Sequence, residues 1–115
     1  MAVNNVLERR FFAAGHTIFN EGDTGSVAYI VQSGVVELWC GRTCIAELQE
    51  NAIFGEMALL DGAPRMATAK ARTDINVILL PRAVFEGKLE GVDPFVIKLL
   101  GILISNVRNF ARLVG

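Results

Sequence analysis

Hydrophobic and polar positions follow two different periods along this chain, and the change comes near residue 81. Up to that point short apolar runs alternate with turn residues: Phe11-Phe12 before Gly15, Thr17-Ile18-Phe19 before Asn20-Glu21-Gly22-Asp23-Thr24-Gly25, and Val27-Ala28-Tyr29-Ile30-Val31 before Ser33-Gly34. Strands with frequent turns predict a mainly β domain, an antiparallel β-roll of the double-stranded jelly-roll kind spanning about residues 11–80. Residues 27–31 and 35–40 read as a hairpin whose turn needs Gly34 at positive φ. Residues 44–48 follow as a strand after the turn Gly41-Arg42-Thr43, and residues 66–71 and 75–80 as two more, joined at Arg72-Thr73-Asp74 and ended by Pro81. Residues 4–10, with Val6 and Leu7 among polar neighbours, read as a short opening helix.

Beyond Pro81 the period becomes helical. Residues 82–89 place Val84, Phe85 and Leu89 on one side before Gly91-Val92 interrupts them. Asp93-Pro94 is a helix start, an N-cap acceptor followed by proline at the first helical position, and the helix is predicted to run to about Val114. Val96, Leu100, Leu103, Val107, Phe110 and Val114 are spaced 4, 3, 4, 3 and 4 apart, a heptad seam that would suit a homodimer. A second stripe, Phe95, Leu99 and Ile102, covers the first half only and turns polar at Asn106 and Asn109. That half is therefore expected to be buried on several sides, and Gly101 within it suits close packing or a hinge.

Between the two regions lies the stretch from Phe54 to Thr68, which packing alone does not explain. Gly55 and Glu56 open a helix-favouring run, Met57-Ala58-Leu59-Leu60, and the turn Asp61-Gly62-Ala63-Pro64 then delivers Arg65 at the mouth of an apolar run. Unpaired N–H groups at a helix start favour an anion. Gly55 lacks the side chain that would block close approach, and Arg65 brings a forked, permanently charged donor. A carboxylate beside a phosphate would repel it, so Glu56 fits a neutral hydroxyl such as a ribose 2′-OH. Phosphate plus sugar hydroxyl means a nucleotide.

Phe54-Gly55-Glu56-Met57-Ala58-Leu59-Leu60 followed by Pro64-Arg65-Met66-Ala67-Thr68 resembles the phosphate-binding cassette of the cyclic nucleotide-binding domain family. The order Glu21-Gly22-Asp23, Tyr29-Ile30-Val31, Ser33-Gly34 resembles that family's early strands, so the likeness extends over most of residues 11–80. The resemblance implies that the backbone of Gly55, Glu56, Met57 and Ala58 and the Arg65 side chain hold a cyclic phosphate, while Glu56 takes the ribose hydroxyl. It also implies C-terminal helices that close over the base and, in the catabolite-activator branch, pair across a dimer. Where many members carry Ser, Thr or Ala after the cassette arginine, this chain has Met66. A thioether is a poor hydrogen-bond partner, so a guanine-selective contact is absent, which favours cAMP over cGMP as ligand; the bulk of Met66 narrows the pocket.

Composition narrows the alternatives. The chain has 115 residues, 52% of them hydrophobic, and a formal net charge of −1. That length suits one domain, residues 1–115. The eleven basic residues are scattered, which argues against nucleic acid as a partner. The apolar run 99–104 is far short of the ~20 residues a membrane-spanning helix needs, and the N-terminus lacks a signal-peptide core, so cytoplasmic residence is expected. Cys40 and Cys44 flank a turn closely enough for a bridge, yet are expected to stay reduced in that compartment. A metal-dependent barrel enzyme would need two or three converging histidines, and the chain has one, His16. No metal, cofactor or catalytic group is expected. Two other readings remain: a structural or dimerisation module of the same fold that has lost its ligand, and a fragment of a larger regulated protein. Met1 favours a free-standing sensor that acts on a separate effector protein.

Overall fold

A computed structural model describes residues 7–59 and 64–114. The first compact unit, up to Arg82, is built from two four-stranded antiparallel sheets. One has the order β1 (Arg9–Phe12), β8 (Ile75–Pro81), β3 (Val27–Ser33), β6 (Ile53–Phe54); the other has the order β2 (Thr17–Phe19), β7 (Thr68–Ala71), β4 (Val36–Cys40), β5 (Thr43–Leu48). The expected β-roll is this pair of sheets. In β8 the pattern Ile75, Val77, Leu79 buried and Asn76 exposed shows the period of two that a half-covered strand requires. Those side chains share one core with Tyr29, Val31 and Phe54 of their own sheet and with Val36, Ala69 and Ala71 of the other.

Two expectations are corrected here. Residues 4–6 of the proposed opening helix lie outside the described residues, and Arg9–Phe12 is a strand, paired with β8 from Arg9↔Ile78 to Phe12↔Ile75. A sheet edge with unfilled backbone positions outweighs the weak helical pattern there. The second concerns Gly34. Its φ is +91°, as expected of a turn glycine, but β3 and β4 do not form a hairpin. β3 pairs with β6 and β8, and β4 with β5 and β7, so Gly34 carries the chain from one sheet to the other.

The crossing is tight. A β-carbon on Gly34 would collide with the Asp74 carbonyl oxygen and lie 2.7 Å from Ile75 Cγ2 and 2.9 Å from Thr73 Oγ1, the hydroxyl that accepts from Val35 N–H. Left-handed backbone costs an L-residue ~1–2 kcal/mol, and overpacking adds ~1–3 kcal/mol. Gly34→Ala is therefore expected to lower the unfolding free energy by roughly 2 kcal/mol or more in urea titration, and an unchanged midpoint would contradict this account of the crossing. The true hairpin is β4–β5, closed at Gly41-Arg42 with Cys40 opposite Thr43. Both cysteines are free; Cys44 is opposite Trp39, not Cys40.

The second unit, from Ala83 onward, is helical. Helix α1 (Arg82–Leu89) begins as the first unit ends, and α2 (Pro94–Val114) starts where expected: the Asp93 carboxylate accepts from Phe95 N–H at 2.8 Å, an N-cap that satisfies an otherwise orphan donor. The first half of α2 is not buried on several sides. Phe95 is 68% exposed and Leu99, Ile102 and Leu103 are between 42 and 50%. A helix apolar on more than one side carries more stripe than one neighbour can cover. Among the described residues a β-carbon on Gly101 would meet nothing within 4 Å. The seam's later side chains, Val107, Phe110 and Val114, lie outside the described residues. Among the described residues no helix is long and apolar enough to cross a membrane.

Candidate nucleotide site

The cassette begins where β6 ends. Phe54 is anchored in the core, stacked on Tyr29 with ring centroids 5.0 Å apart, and this fixes the point at which the chain turns outward. Gly55 makes that turn at φ +74°, and Glu56–Leu59 form a short 3-10 helix that packs against β3 with Leu59 buried. Gly55, Glu56 and Met57 are half-buried. The side chain of Ala58 and residues 60–63, which hold all but Pro64 of the expected turn 61–64, lie outside the described residues. Glu56 makes no side-chain hydrogen bond or ion pair among the described residues.

Arg65 is the one charged side chain buried among the described residues, 8% exposed. Its backbone is stitched to the loop after β2: Arg65 N–H donates to the Asp23 carbonyl at 2.8 Å, and Gly22 N–H donates to the Arg65 carbonyl at 2.8 Å. Its guanidinium turns inward. Nη1 donates to the Gly55 carbonyl at 3.1 Å and Nη2 to the Val27 carbonyl at 2.7 Å, while Cζ sits 4.2 Å from the centre of the Phe19 ring, within cation–π range. Nε is buried and has no partner. Among the described residues no carboxylate forms an ion pair with it; Arg10 pairs with Glu8 and Arg72 with Glu47.

Burial pulls the Arg65 pKa below its ordinary value, opposed by the charges of Tyr29, Asp23 and Glu56. An arginine remains protonated through such a shift. The site is thus a desolvated positive charge held by neutral carbonyls with one donor unsatisfied, an arrangement that an incoming anion would stabilise.

The first unit joins Arg65 to the Gly55 carbonyl and places Glu56 within electrostatic reach of it, with Met57 next to Glu56 on the 3-10 helix. Met66 follows directly, half-buried, with its carbonyl accepting from the Cys40 thiol at 3.5 Å. That thiol's pKa is pushed up by burial and then by Glu21. The role of Gly55 is also sharpened. A β-carbon there would lie 2.6 Å from Arg65 Nη1, so the missing side chain makes room first for the arginine. Sequence reasoning passed over Phe19, Gly25 and the Val27 carbonyl. Residues 20–25 signal a turn, and nothing in that pattern says what the turn packs against. Among the described residues no group of three or more His, Cys, Asp or Glu is placed to hold a metal ion. His16 is exposed and supplies backbone bonds to Ala13 and Ala71.

A two-sheet β-roll with a buried arginine held by backbone carbonyls defines the class of domain, and comparison with known proteins narrows it. The sequence profile of the family described as "Cyclic nucleotide-binding domain" matches residues 9–91. The chain belongs to this family. It is 34% identical over 93 residues to the cAMP-dependent protein kinase regulatory subunit of Hypocrea atroviridis, covering 78% of this chain and 20% of that one. With the corresponding subunit of Dictyostelium discoideum it is 35% identical over 79 residues, covering 64% and 24%. The chain therefore spans about a fifth to a quarter of the length of these relatives. Among solved structures it is similar to the EAL enzyme Bd1971 in its cAMP-bound form, at a TM-score of 0.81 and 27% identity over 93% of this chain and 30% of that one. The catabolite activator protein of Thermus thermophilus gives 0.75 and 33%, over 93% and 52%.

Proposed function

We propose that this chain is a regulatory domain that binds a cyclic nucleotide, with cAMP favoured over cGMP. The observation that carries the reading is the buried Arg65 guanidinium, which has carbonyl partners, an unsatisfied Nε–H and no ion-paired carboxylate among the described residues. The cyclic phosphate would supply the missing negative charge. The backbone of Gly55, Glu56, Met57 and Ala58 would line the phosphate, and Glu56, free of side-chain hydrogen bonds among the described residues, would accept from the ribose 2′-OH. Relatives whose names state cAMP dependence, and a similar enzyme solved with cAMP and with cGMP, support the ligand class.

Met66 bears on the base. It offers no hydroxyl to a guanine amino group, so Met66→Thr is expected to raise cGMP affinity more than cAMP affinity. Binding would shift α1 and α2, and an effector protein would read that shift in the cytoplasm; such a shift requires contacts made only in the bound state. A homodimer through α2 is the second partner proposed. No reaction is assigned to the domain.

Thermal melting with cAMP, cGMP and linear 5′-AMP tests the reading. A ligand that binds only the folded state raises the midpoint by an amount set by its concentration over Kd. The expected order is cAMP, then cGMP, with 5′-AMP ineffective. Flat midpoints for both cyclic nucleotides at millimolar concentration would leave the reading as a domain that has lost its ligand.

A further inference from the structure

We infer that Gly25 is the positioning residue for Arg65: its bare α-carbon is one wall of the slot that holds the guanidinium inward. A β-carbon built on Gly25 would lie 2.5 Å from Arg65 Nη2, 2.8 Å from Nε and 2.9 Å from Cζ, all below normal contact, and these are its three nearest neighbours. The Phe19 ring, 4.2 Å from Cζ, is another wall, and the Gly55 and Val27 carbonyls hold the Nη atoms.

Gly25 differs from the other glycines at the site in an informative way. Gly22 and Gly55 have φ of +88° and +74°, so any side chain there strains the backbone whatever the space. Gly25 is not among the positive-φ residues. An alanine can take its backbone conformation, and the cost falls on what its methyl meets. What it meets is the far end of a flexible side chain, which can swing away, rather than backbone, which cannot. Gly25→Ala therefore becomes a switch for one group: the guanidinium is pushed off the Val27 carbonyl while the backbone pairing of residues 22 and 23 with Arg65 remains.

This rests on the cyclic nucleotide reading for its affinity readout, and a second readout is independent of it. Three variants separate the possibilities: Gly25→Ala, Arg65→Ala and the double variant, measured by titration calorimetry with cAMP and by melting without ligand. Gly25→Ala is expected to weaken cAMP binding at least tenfold, and to add nothing once Arg65 is already alanine. A role in loop folding alone would instead give additive losses. Should Gly25→Ala not fold, the double variant is expected to fold and melt like Arg65→Ala, because the clash has been removed; a double variant that also fails overturns the inference.

The ligand-free readout is the Arg65 Nε–H nuclear magnetic resonance signal, expected to be resolved and protected from exchange in the native chain and lost in Gly25→Ala. If the native chain binds neither cAMP nor cGMP, the proposed function fails while this signal still decides the role of Gly25. Unchanged affinity or an unchanged Nε–H signal in folded Gly25→Ala overturns the inference.

Discussion

Arg65→Ala is expected to weaken cyclic nucleotide binding by more than any other single substitution in the cassette. A hydrogen bond to a charged group contributes ~1.5–3 kcal/mol, on the order of 10- to 100-fold in affinity. The upper part of that range is the better expectation, because Arg65 is 8% exposed and water screens it little. The burial cost has already been met on folding, so a phosphate binding there would find a charge that needs no further desolvation. Folding itself should survive the change. The two backbone bonds that hold residue 65 to the loop, from Arg65 N–H to Asp23 and from Gly22 N–H to Arg65, use no side-chain atom.

Arg65→Lys separates charge from geometry. Lysine keeps the positive charge but has one nitrogen where arginine reaches two carbonyls, Gly55 and Val27, and it lacks the flat surface that lies on Phe19. Its affinity is expected to fall between native and alanine. Calorimetry with cAMP checks both variants, with circular dichroism to verify the fold. If Arg65→Ala binds cAMP as the native chain does, the anion site is elsewhere and the assignment of Glu56 to the ribose goes with it.

What was legible in the sequence follows the range of the forces involved. The helix start at Asp93-Pro94 was readable because its N-cap acts within two residues: Asp93 Oδ1 accepts from Phe95 N–H. That Gly55 and Arg65 belong together was readable because they lie close along the chain, and the structure joins them through the Gly55 carbonyl; the ligand they would hold is the proposal above. Strand pairing was not. Residues 27–31 and 35–40 look like hairpin arms because each is a good strand and a glycine lies between them, but sheet membership is decided by partners far away: β8 for one and β7 for the other. The other walls around Arg65 were hidden for the same reason. Phe19 and Gly25 come from the end of β2 and the loop beyond it, some forty residues before the arginine, and neither residue type by itself announces a ligand site. The exposed stripe on α2 lies between these cases: its period gave the helix, and a period does not name the surface that covers it.

The cassette also depends on the core behind it, which leads to the largest expected change in stability. Phe54 is 1% exposed, stacked on Tyr29 at an interplanar angle of 13° and 6.0 Å from Phe19. Truncating a buried phenylalanine costs ~3–5 kcal/mol through lost transfer energy and the cavity left behind, a large share of the ~5–15 kcal/mol that holds a typical domain folded. β6 is two residues long and pairs with β3 at Tyr29↔Phe54 and Ile30↔Ile53. So short a strand is held by its side chain as much as by its ladder. Phe54→Ala is accordingly expected to shift the urea midpoint by the full core-cavity cost, with the denaturant slope unchanged if unfolding remains two-state. It should also loosen Gly55, whose carbonyl receives Arg65 Nη1, and so weaken nucleotide binding. Ile75→Ala supplies the contrast: Ile75 is equally buried, on β8, and lies in the core without a hydrogen bond or ring contact to Arg65. It should lose comparable stability while still-folded protein retains native affinity. If both variants lose affinity in equal measure, Phe54 acts on the site only through general stability; if Phe54→Ala alone does, the stacked phenylalanine is the mechanical base of the phosphate cassette.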